Sequence, residues 1–543
     1  MTRQAMTRTT LLATMMIWTS VAATGQAQSP AAAPSPTTLQ LTVDQAVKMA
    51  VEHNVDLAAV RIDPQISDTA LAAAVGVFRP VFNTSFERNN QLQPPASFLI
   101  PTATRTDVVT STAGVSQKLP WFGTSYNVSW NAAHTDSNSF LNSFNPILQS
   151  GLSLSVSQPL IRDLTIDSAR QQIAAGRIDR DVADTRVREA IVRTEANVKS
   201  AYWNLVTARA NVDSRRSTLQ LAEELVRVNK AKVDVGQSPP LDLVAAQAEV
   251  AADQEQVIIA ETAVDQIKDQ LRSLVFDTSD RAAWNVEIEP VDPPPPAAAT
   301  PDLDAAVTAA LQDRTDLLRA RKDIETAQVS ETFTRNQRLP DVRLNANYVA
   351  NGLGGTQVLR DGGFPGTIVG SGPGIAFGSV LNQLFTSQYP TWTVGVSVNY
   401  PIGQATEDAN YARAKLEHAQ SQQRLKAAES QVVQQVRDAW RKIGMNAKRI
   451  ETTRAARELA EQRLDAERKR FDVGISTSFL VIQAQRDLAE ARTNELAAAL
   501  AYDLALVDFD TVQRAGPATA AAPVVAAPTA PTTSARPSTS GGQ

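Results

Sequence analysis

The fold is decided by a long helical stretch, of which residues 201–236 have the sequence AYWNLVTARANVDSRRSTLQLAEELVRVNKAKVDVG. Between Arg162 and Ser238 there is no proline, and Gly176 is the one glycine before Gly236. Apolar residues recur at steps of 3, 4, 7, 3 and 4, at Leu205, Ala208, Val212, Leu219, Ala222 and Val226. This spacing is a heptad seam. A helix of about 70 residues is ~100 Å long, so the stretch predicts a coiled-coil rod.

Each long helix is followed by a break and a second helical stretch. In the first half the break is Gly236-Gln237-Ser238-Pro239-Pro240, and the helical pattern resumes from Leu241 to about Val275. In the second half there is no proline from Gly403 to Ala515. There the break lies at Gly474 to Ser478, and the pattern resumes at Phe479. Each half therefore predicts a long helix, a tight turn and a returning helix.

The chain is internally duplicated. Aligning Asp44 with Asp304 sets an offset of 260 residues. The same offset gives three further pairs, which are Arg61 with Arg321, Asp63 with Asp323, and Pro80 with Pro340. Farther along, Val235-Gly236 pairs with Val473-Gly474 at an offset of 238. The recurrence of helix, proline, strands and Val-Gly break in one order indicates two structural repeats.

The ends of the chain differ in composition from the repeats. Arg3 and Arg8 precede a short apolar run from Leu11 to Ala23, which is typical of a signal peptide. The run is shorter than the about 20 residues that a transmembrane anchor needs. We divide the chain into a signal peptide (1–27), a flexible N-terminal segment (28–38), the first repeat (39–290), a Pro-rich linker (291–300), the second repeat (301–513) and a disordered Ala/Pro/Thr tail (514–543).

Strand patterns precede each long helix. Large apolar residues occupy every second position of two segments, at Leu152, Leu154 and Val156, and at Trp392, Val394, Val396, Val398 and Tyr400. A period of two gives a sheet with one apolar and one polar face. Two interpretations remain open on the strands alone. One is a sheet packed on a protein core, and the other is a membrane β-barrel with these residues facing lipid.

Composition excludes several functional classes. The net charge is -5, which does not favour nucleic acid as a partner. There is no cysteine and there are 3 histidines, so thiol catalysis and Cys-ligated metal are excluded. We find no catalytic constellation and no phosphate-binding loop. We therefore expect no enzyme activity, no cofactor and no metal site.

Taken together, these features resemble the TolC-type outer-membrane efflux protein family, over roughly Leu39 to Gln513. The resemblance is carried by the duplicated order, the two Val-Gly breaks, and the sequences AYWNLV (201–206) and FDVG (471–474). It implies a mostly α fold with β. Long coiled-coil hairpins would line a periplasmic tunnel, and four strands per chain, or slightly more, would share a trimeric twelve-stranded barrel.

The resemblance also implies a function and partners. The protein would be a homotrimeric exit duct in the outer membrane of a Gram-negative-type cell, in contact with outer-membrane lipid. It would serve a tripartite efflux pump or a type I secretion system through a periplasmic adaptor and an inner-membrane pump. Its cargo would be small molecules or proteins. The alternative is a periplasmic coiled-coil adaptor or structural envelope protein that makes no pore.

Two sets of residues follow from the family pattern. The adaptor-docking tips map onto Val235, Gly236, Gln237, Val473, Gly474 and Ile475, although any helical hairpin can need a glycine. The aperture maps onto Asp242, Phe471, Ser476, Leu480 and Gln483. The family has a tyrosine, an arginine and two aspartates where this chain has Phe471, Ser476, Leu480 and Gln483. We therefore expect an aperture closed by apolar or different polar contacts, with a weaker cation block. Asp242 alone is equally consistent with a helix-capping residue.

Two segments of this chain have no counterpart in the four-strand pattern of the family. Ala113 to Trp130 contains a further hairpin pattern with its turn at Leu119 to Gly123, and the stretch from Gly352 to Gly378 is rich in glycine. We expect both to enlarge extracellular loops or the rim of the barrel.

Overall fold

The structure is a computed structural model that describes residues 38–95, 103–139, 142–277, 279, 281–293, 301–362, 366–403 and 405–516. The predicted signal peptide, nearly all of the flexible segment, most of the Pro-rich linker and nearly all of the tail lie outside these residues. Within them, the chain forms an antiparallel sheet joined to long helical hairpins.

The described ranges contain ten α-helices, five before the Pro-rich linker and five after it. They are α1 (Val43–His53), α2 (Val55–Val60), α3 (Asp63–Val75), α4 (Ser168–Asp234), α5 (Pro240–Val275), α6 (Leu303–Asp313), α7 (Thr315–Gln337), α8 (Phe377–Phe385), α9 (Ala405–Asp472) and α10 (Ser478–Arg514). None of the helices among the described residues is long and apolar enough to cross a bilayer.

The predicted hairpins are confirmed. Helix α4 has 67 residues and α9 has 68, which corresponds to ~100 Å each. Helix α4 begins where Asp167 caps it, with the Asp167 carboxylate accepting a hydrogen bond from the Arg170 N–H at 2.9 Å. Helices α5 and α10 return along α4 and α9. The two hairpins meet near their tips around an apolar cluster that includes Leu225, Phe471 and Val481.

The duplication is visible in matched anchors of the long helices. The Tyr202 hydroxyl on α4 donates to the Leu41 carbonyl at 3.0 Å, just before α1. The Trp440 indole N–H on α9 donates to the Pro301 carbonyl at 2.8 Å, just before α6. Tyr202 and Trp440 differ by 238 residues and Leu41 and Pro301 by 260, which are the two offsets found in the sequence. Each anchor fixes a short helix against a long one.

The strands form a small parallel pair and one large antiparallel sheet. They are β1 (Thr38–Leu41), β2 (Val81–Gln93), β3 (Thr104–Lys118), β4 (Ser125–Ser137), β5 (Phe144–Pro159), β6 (Glu287–Pro290), β7 (Asp341–Asp361), β8 (Thr367–Ile375) and β9 (Tyr389–Asn399). β1 pairs with β6, and the large sheet has the order β2-β3-β4-β5-β7-β8 with β9 also on β7. β9 pairs with the first half of β7 and β8 with its second half, so six strands lie side by side at the level of β9.

The large sheet has an apolar and a polar face, as the period of two predicts. One row of register partners across the six strands is entirely apolar and consists of Phe82, Val115, Val128, Leu154, Tyr348 and Trp392. The next row toward the helices points to the other face and consists of Val81, Ser116, Asn127, Ser155, Asn347 and Thr393. On this polar face Ser155 Oγ donates to Asn347 Oδ1 at 3.0 Å.

The expectation for the extra hairpin is wrong in one respect. The segment from Ala113 to Trp130 is not a loop extension, because it contributes β3 and β4, which are full-length strands between β2 and β5. Its turn lies at the end of the sheet that joins the helices, beside Asp163 and Arg170. The Gly-rich segment from Gly352 to Gly378 forms the far half of β7, then β8 and the start of α8, at the opposite end of the sheet.

Candidate functional site at the hairpin tips

The two hairpin tips have the same backbone design. Gly236 and Gly474 have φ values of 74° and 82°, in the left-handed region that favours glycine. At each tip the residue after the glycine donates its N–H five residues back, from Gln237 to the Lys232 carbonyl and from Ile475 to the Arg470 carbonyl, both at 2.8 Å. These bonds are the mark of a Schellman motif, which ends a helix and reverses the chain.

The predicted docking residues lie exposed at these tips. The side chains of Val235, Val473 and Ile475 are 68%, 69% and 79% exposed. Leu241 and Phe479, in the first turns of the returning helices, are similarly exposed. Exposed apolar residues that cluster in one place commonly mark a protein–protein contact. The tips therefore present a surface suited to a partner.

A polar contact joins the two hairpins just above the tips. Asn229 on α4 is fully buried, and its Nδ2 donates to Ser478 Oγ on α10 at 2.7 Å. The same Nδ2 is 3.2 Å from the carbonyl oxygen of Asp242. The Lys232 ammonium donates to the Phe471 carbonyl at 2.9 Å and lies 3.5 Å from the centre of the Phe471 ring. We call the contacts of Asn229 with Ser478 and of Lys232 with Phe471 the tip latch.

The predicted aperture residues have different surroundings. Phe471 belongs to the tip latch and is buried. The Asp242 carboxylate accepts from Ser238 Oγ at 2.5 Å within its own tip, and only its main-chain carbonyl meets Asn229. Ser476 donates to Glu467 on α9. The structure therefore brings Phe471 and, through its backbone, Asp242 to the contact between hairpins.

The other two aperture residues stay within the second hairpin. Gln483 Nε2 donates to Asp487 Oδ1 at 2.9 Å, and Leu480 is exposed. Asp487 in turn pairs with Arg463 on α9 at 2.7 Å. These contacts orient Gln483 along α10 rather than toward the first hairpin.

Sequence reasoning missed Asn229, Lys232 and Ser478. Asn229 could have been found, because it takes the next seam position, three residues after Val226. A polar residue in a coiled-coil seam often fixes register at a cost in stability. Its partner Ser478 lies 249 residues away in the sequence, and no local sequence pattern predicts that the two residues meet.

A second contact between the hairpins lies farther up. Arg486 on α10 makes a bidentate salt bridge with Glu249 on α5, with Nε donating to Oε1 at 2.9 Å and Nη2 donating to Oε2 at 2.6 Å. Asp253 lies one turn along α5, and burial, followed by repulsion from Glu249, raises the pKa of its carboxyl. The described residues contain no group of His, Asp and Glu side chains arranged to hold a metal ion.

The predicted lipid-facing residues share one face of the sheet. All of those on the strands belong to the apolar face, which are Leu152, Leu154 and Val156 on β5 and Trp392, Val394, Val396 and Val398 on β9. Tyr400 follows the last residue of β9 and is half exposed. Trp392 and Tyr400 are eight residues apart, about 26 Å along an extended strand. That length fits an apolar band of about 25 Å between two aromatic girdles.

Comparison with known proteins identifies the class to which this architecture belongs. The model of the family described as outer membrane efflux protein matches residues 107–275 and 306–512, which is more than half of the chain. The chain therefore belongs to the outer membrane efflux protein family. Membership gives it an outer-membrane location and a role in efflux. A search of curated proteins gave no match.

Three solved structures illustrate the likeness of fold. The CmeC outer membrane channel of Campylobacter jejuni is 15% identical with a TM-score of 0.59, over 87% of this chain and 85% of that one. The outer membrane protein VceC of Vibrio cholerae is 15% identical with a TM-score of 0.61, over 87% and 96%. The open state of the MtrE outer membrane channel of Neisseria gonorrhoeae is 17% identical with a TM-score of 0.58, over 87% and 89%.

Proposed function

We propose that three copies of this chain form a passive exit duct, in which the sheets close a common β-barrel and the hairpins line a tunnel in the periplasm. One observation carries the proposal: a single chain joins a sheet with a continuous apolar face to two hairpins ~100 Å long. At the level of β9, strands β2 and β9 are the edges of this sheet. In hydrocarbon, each unpaired backbone group at such an edge costs on the order of several kcal/mol. Several copies of this chain must therefore share one barrel.

The exposed apolar tips support docking of a periplasmic adaptor. In this arrangement the tips point away from the outer membrane, because the helices leave one end of the sheet and the tips lie at their far ends. The adaptor would link the duct to an inner-membrane pump, which supplies the energy. The cargo would be small molecules in a tripartite efflux system or proteins in type I secretion, and both uses need the same duct.

We assign closure of the duct to the tip latch. Asn229 and Lys232 tie the first hairpin to Ser478 and Phe471 of the second, so separating the hairpins requires these contacts to break. Leu480 and Gln483 carry no charge at the positions where the family has aspartates. The entrance would therefore select cations only weakly.

Fractionation separates this proposal from the adaptor alternative. A barrel protein stays with the outer membrane through washes with salt and carbonate, leaves it only with detergent, and runs as a trimer by native mass. A periplasmic adaptor without a barrel would be released by osmotic shock or would fractionate with the inner membrane. That result would replace the duct by the alternative.

Conductance in planar bilayers then tests the pore itself. The wild-type trimer should give small, discrete openings with weak cation preference. The variant Asn229→Ala, combined with Lys232→Ala, should give larger openings, whereas Gln237→Ala, an exposed tip residue outside the latch, should not. A correctly assembled trimer that conducts in neither form would refute the duct.

A further inference from the structure

We propose that the barrel closes with eighteen strands rather than twelve, six from each of three chains, through pairing of β2 of one chain with β9 of the next. The inference rests on the trimeric duct proposed above and concerns how its wall is built. It assigns the inserted hairpin β3–β4 to the membrane wall, and it assigns the edges of the sheet to a second copy of this chain.

The hairpin is paired along its whole length. Strand β3 keeps an unbroken register with β2 from Val81 opposite Ser116 to Gln93 opposite Thr104. Strand β4 keeps an unbroken register with β5 from Ser125 opposite Ser157 onward. Strands β2 and β5 are therefore separated by two complete strands. A hairpin lying outside the wall would leave β2 directly against β5, and this sheet has no such pair.

The hairpin also carries the two-faced pattern of a lipid-exposed wall. Val115, Val128 and Trp130 lie on the same face as Leu154 and Trp392. The opposite face is polar there, with Ser129 Oγ of β4 2.6 Å from Ser153 Oγ of β5. The apolar row that begins at Phe82 on β2 thus crosses both strands of the hairpin and reaches Trp392 on β9 without a polar residue in the hairpin. A strand pair facing only water would have no reason to match this face.

The turn of the hairpin is fixed to the base of the helices. Lys118 at the end of β3 pairs with Asp167, the capping residue of α4, at 3.2 Å. Gly123 has a φ of 67°, and a Cβ atom built there would lie 2.7 Å from the Asp163 carbonyl oxygen and 3.0 Å from the Arg170 guanidinium. Because only a residue without a Cβ fits this approach, the turn is held at the junction of sheet and tunnel. The turn of the hairpin therefore belongs to the base of the barrel.

The two free edges are complementary. β2 leaves the helices and β9 returns to them, so β2 of one chain and β9 of another meet antiparallel, like every other pair in this sheet. They have 13 and 11 residues, all exposed in the single chain. Keeping Phe82 and Phe86 on the same face as Trp392 and Val396 requires even-numbered residues to oppose even-numbered residues. The register of β2 against β9 of the next chain can therefore change only by two residues at a time.

The strand number sets the width of the barrel. Barrel diameter grows roughly in proportion to strand number, so eighteen strands give about 1.5 times the diameter of twelve. The polar face lines this space with hydroxyl and amide groups such as those of Ser155, Asn347 and Thr393. A wide, nearly uncharged barrel would leave selection of cargo to the helical tunnel and its tips.

Disulfide trapping tests the proposed edge pairing in the full-length protein, which has no native cysteine. Ser85→Cys on β2 is combined with a cysteine at Thr391, Thr393, Gly395 or Ser397 on β9, all on the polar face. We expect at least one pair to give covalent dimers and trimers on mild oxidation, at more than tenfold the yield of matched pairs with Val394→Cys or Val396→Cys, which face lipid. Ser85→Cys with Thr112→Cys is the control within one chain, since these hydroxyls are 2.7 Å apart.

A twelve-stranded wall would give a different pattern. With the hairpin excluded, β2 would lie against β5, and Ser85→Cys would cross-link with Ser153→Cys inside one chain. In the structure these positions lie three strand spacings apart and are also offset by two residues along the strands, so they are about 16 Å apart, which a disulfide cannot bridge. That cross-link, or a native trimer without any link from β2 to β9, overturns the eighteen-stranded barrel and leaves the duct standing. A protein of monomeric native mass overturns the duct as well.

Discussion

Asn54 and Arg314 are equivalent residues of the two repeats, and each ties the start of a short helix to the end of the returning helix in its own repeat. Asn54 Nδ2 donates to the Leu274 carbonyl at 3.1 Å, and Arg314 Nη1 donates to the Val512 carbonyl at 3.1 Å. The donors are 260 residues apart and the acceptors 238. One geometric role has thus been kept while the side chain that performs it changed from a neutral amide to a buried cation.

Arg314 should contribute more to stability than Asn54. It is 1% exposed, and its guanidinium also binds Asp316 at 2.9 Å and Gln435. Arg314→Ala would remove the guanidinium donor from all three acceptors, of which Asp316 keeps a hydrogen bond from the Leu317 N–H. We expect a loss of about 2–4 kcal/mol, below the full cost of breaking a buried pair because Asp316 is also partly exposed. Asn54→Ala should cost about 1–2 kcal/mol. Denaturant unfolding in detergent measures both.

The control for this comparison is Arg413→Ala, since the Arg413–Glu417 pair lies on the surface of α9. Surface pairs are worth roughly 0–1 kcal/mol. If Arg314→Ala is no more destabilising than Arg413→Ala, the buried guanidinium is not a structural tie.

The glycines at the tips give a prediction about backbone strain. Apart from the two chain neighbours, no atom of the described residues lies within 4 Å of a Cβ built on Gly236 or Gly474, so substitution there changes the backbone energy without a clash. Alanine should destabilise each tip by about 1–2 kcal/mol because of its positive φ. Asparagine, which tolerates this conformation better, should cost less. Hydrogen exchange of residues 228–245 and 466–482 measures the local opening, and equal effects of Ala and Asn would contradict the explanation.

The sequence predicts the helical part of this fold because its signals are local or repeated. The heptad seam from Leu205 to Val226 and the Val-Gly breaks define the hairpins, and the two offsets between repeats also relate Tyr202 to Trp440. These patterns need no knowledge of which distant segments meet. The resemblance to the efflux family, stated on the same residues, is confirmed.

The strand order and the tip latch could not be predicted in the same way. The alternation of Tyr126, Val128 and Trp130 indicates a strand, but its place in the wall depends on pairing with β5 rather than on anything local. The latch joins Asn229 to Ser478 across two hairpins. Both features depend on long-range register, which alternation alone leaves open.

The tip latch should show energetic coupling between its members. Asn229→Ala would leave the buried Ser478 hydroxyl without its donor, at a cost of about 1–3 kcal/mol. Ser478→Ala should cost a similar amount, and the double variant should cost less than the sum of the two, with a coupling of about 1 kcal/mol. Thermal unfolding of the four proteins completes the cycle. Strict additivity would mean that the 2.7 Å contact contributes nothing.

Asp503 on α10 should make stability depend on pH. Its side chain is 5% exposed, and burial raises the pKa of its carboxyl to about 7. The unfolded value is about 3.9, so the folded protein holds this proton more tightly than the unfolded chain. The carboxyl therefore destabilises the protein above pH 7, by roughly 3–4 kcal/mol, and the penalty fades as the pH falls from 7 toward 4.

Asp503→Asn removes this titration and tests its sign. The variant should be more stable than wild type at pH 8, and the advantage should vanish by pH 4. Asp510→Asn, which alters a half-exposed carboxylate paired with Lys199, is the matched control for loss of a carboxylate from the same helix. An advantage of Asp503→Asn that is constant across pH would show that the carboxyl is not titrating in this range.

The two faces of β9 allow a paired test of the membrane wall with substitutions one residue apart. Val394 pairs with Ala346 on the apolar face, and Thr393 pairs with Asn347 on the polar face. Lysine at a lipid-facing position costs about 2–4 kcal/mol at the bilayer midplane and less toward the interfaces, whereas a lumen position tolerates it. Val394→Lys should therefore reduce the yield of assembled trimer in the outer membrane at least tenfold, while Thr393→Lys should assemble normally. Thr393→Lys should also shift ion selectivity toward anions, because it adds positive charge to the lumen. Equal assembly of the two variants, or a selectivity change from Val394→Lys alone, would reverse the assignment of the faces.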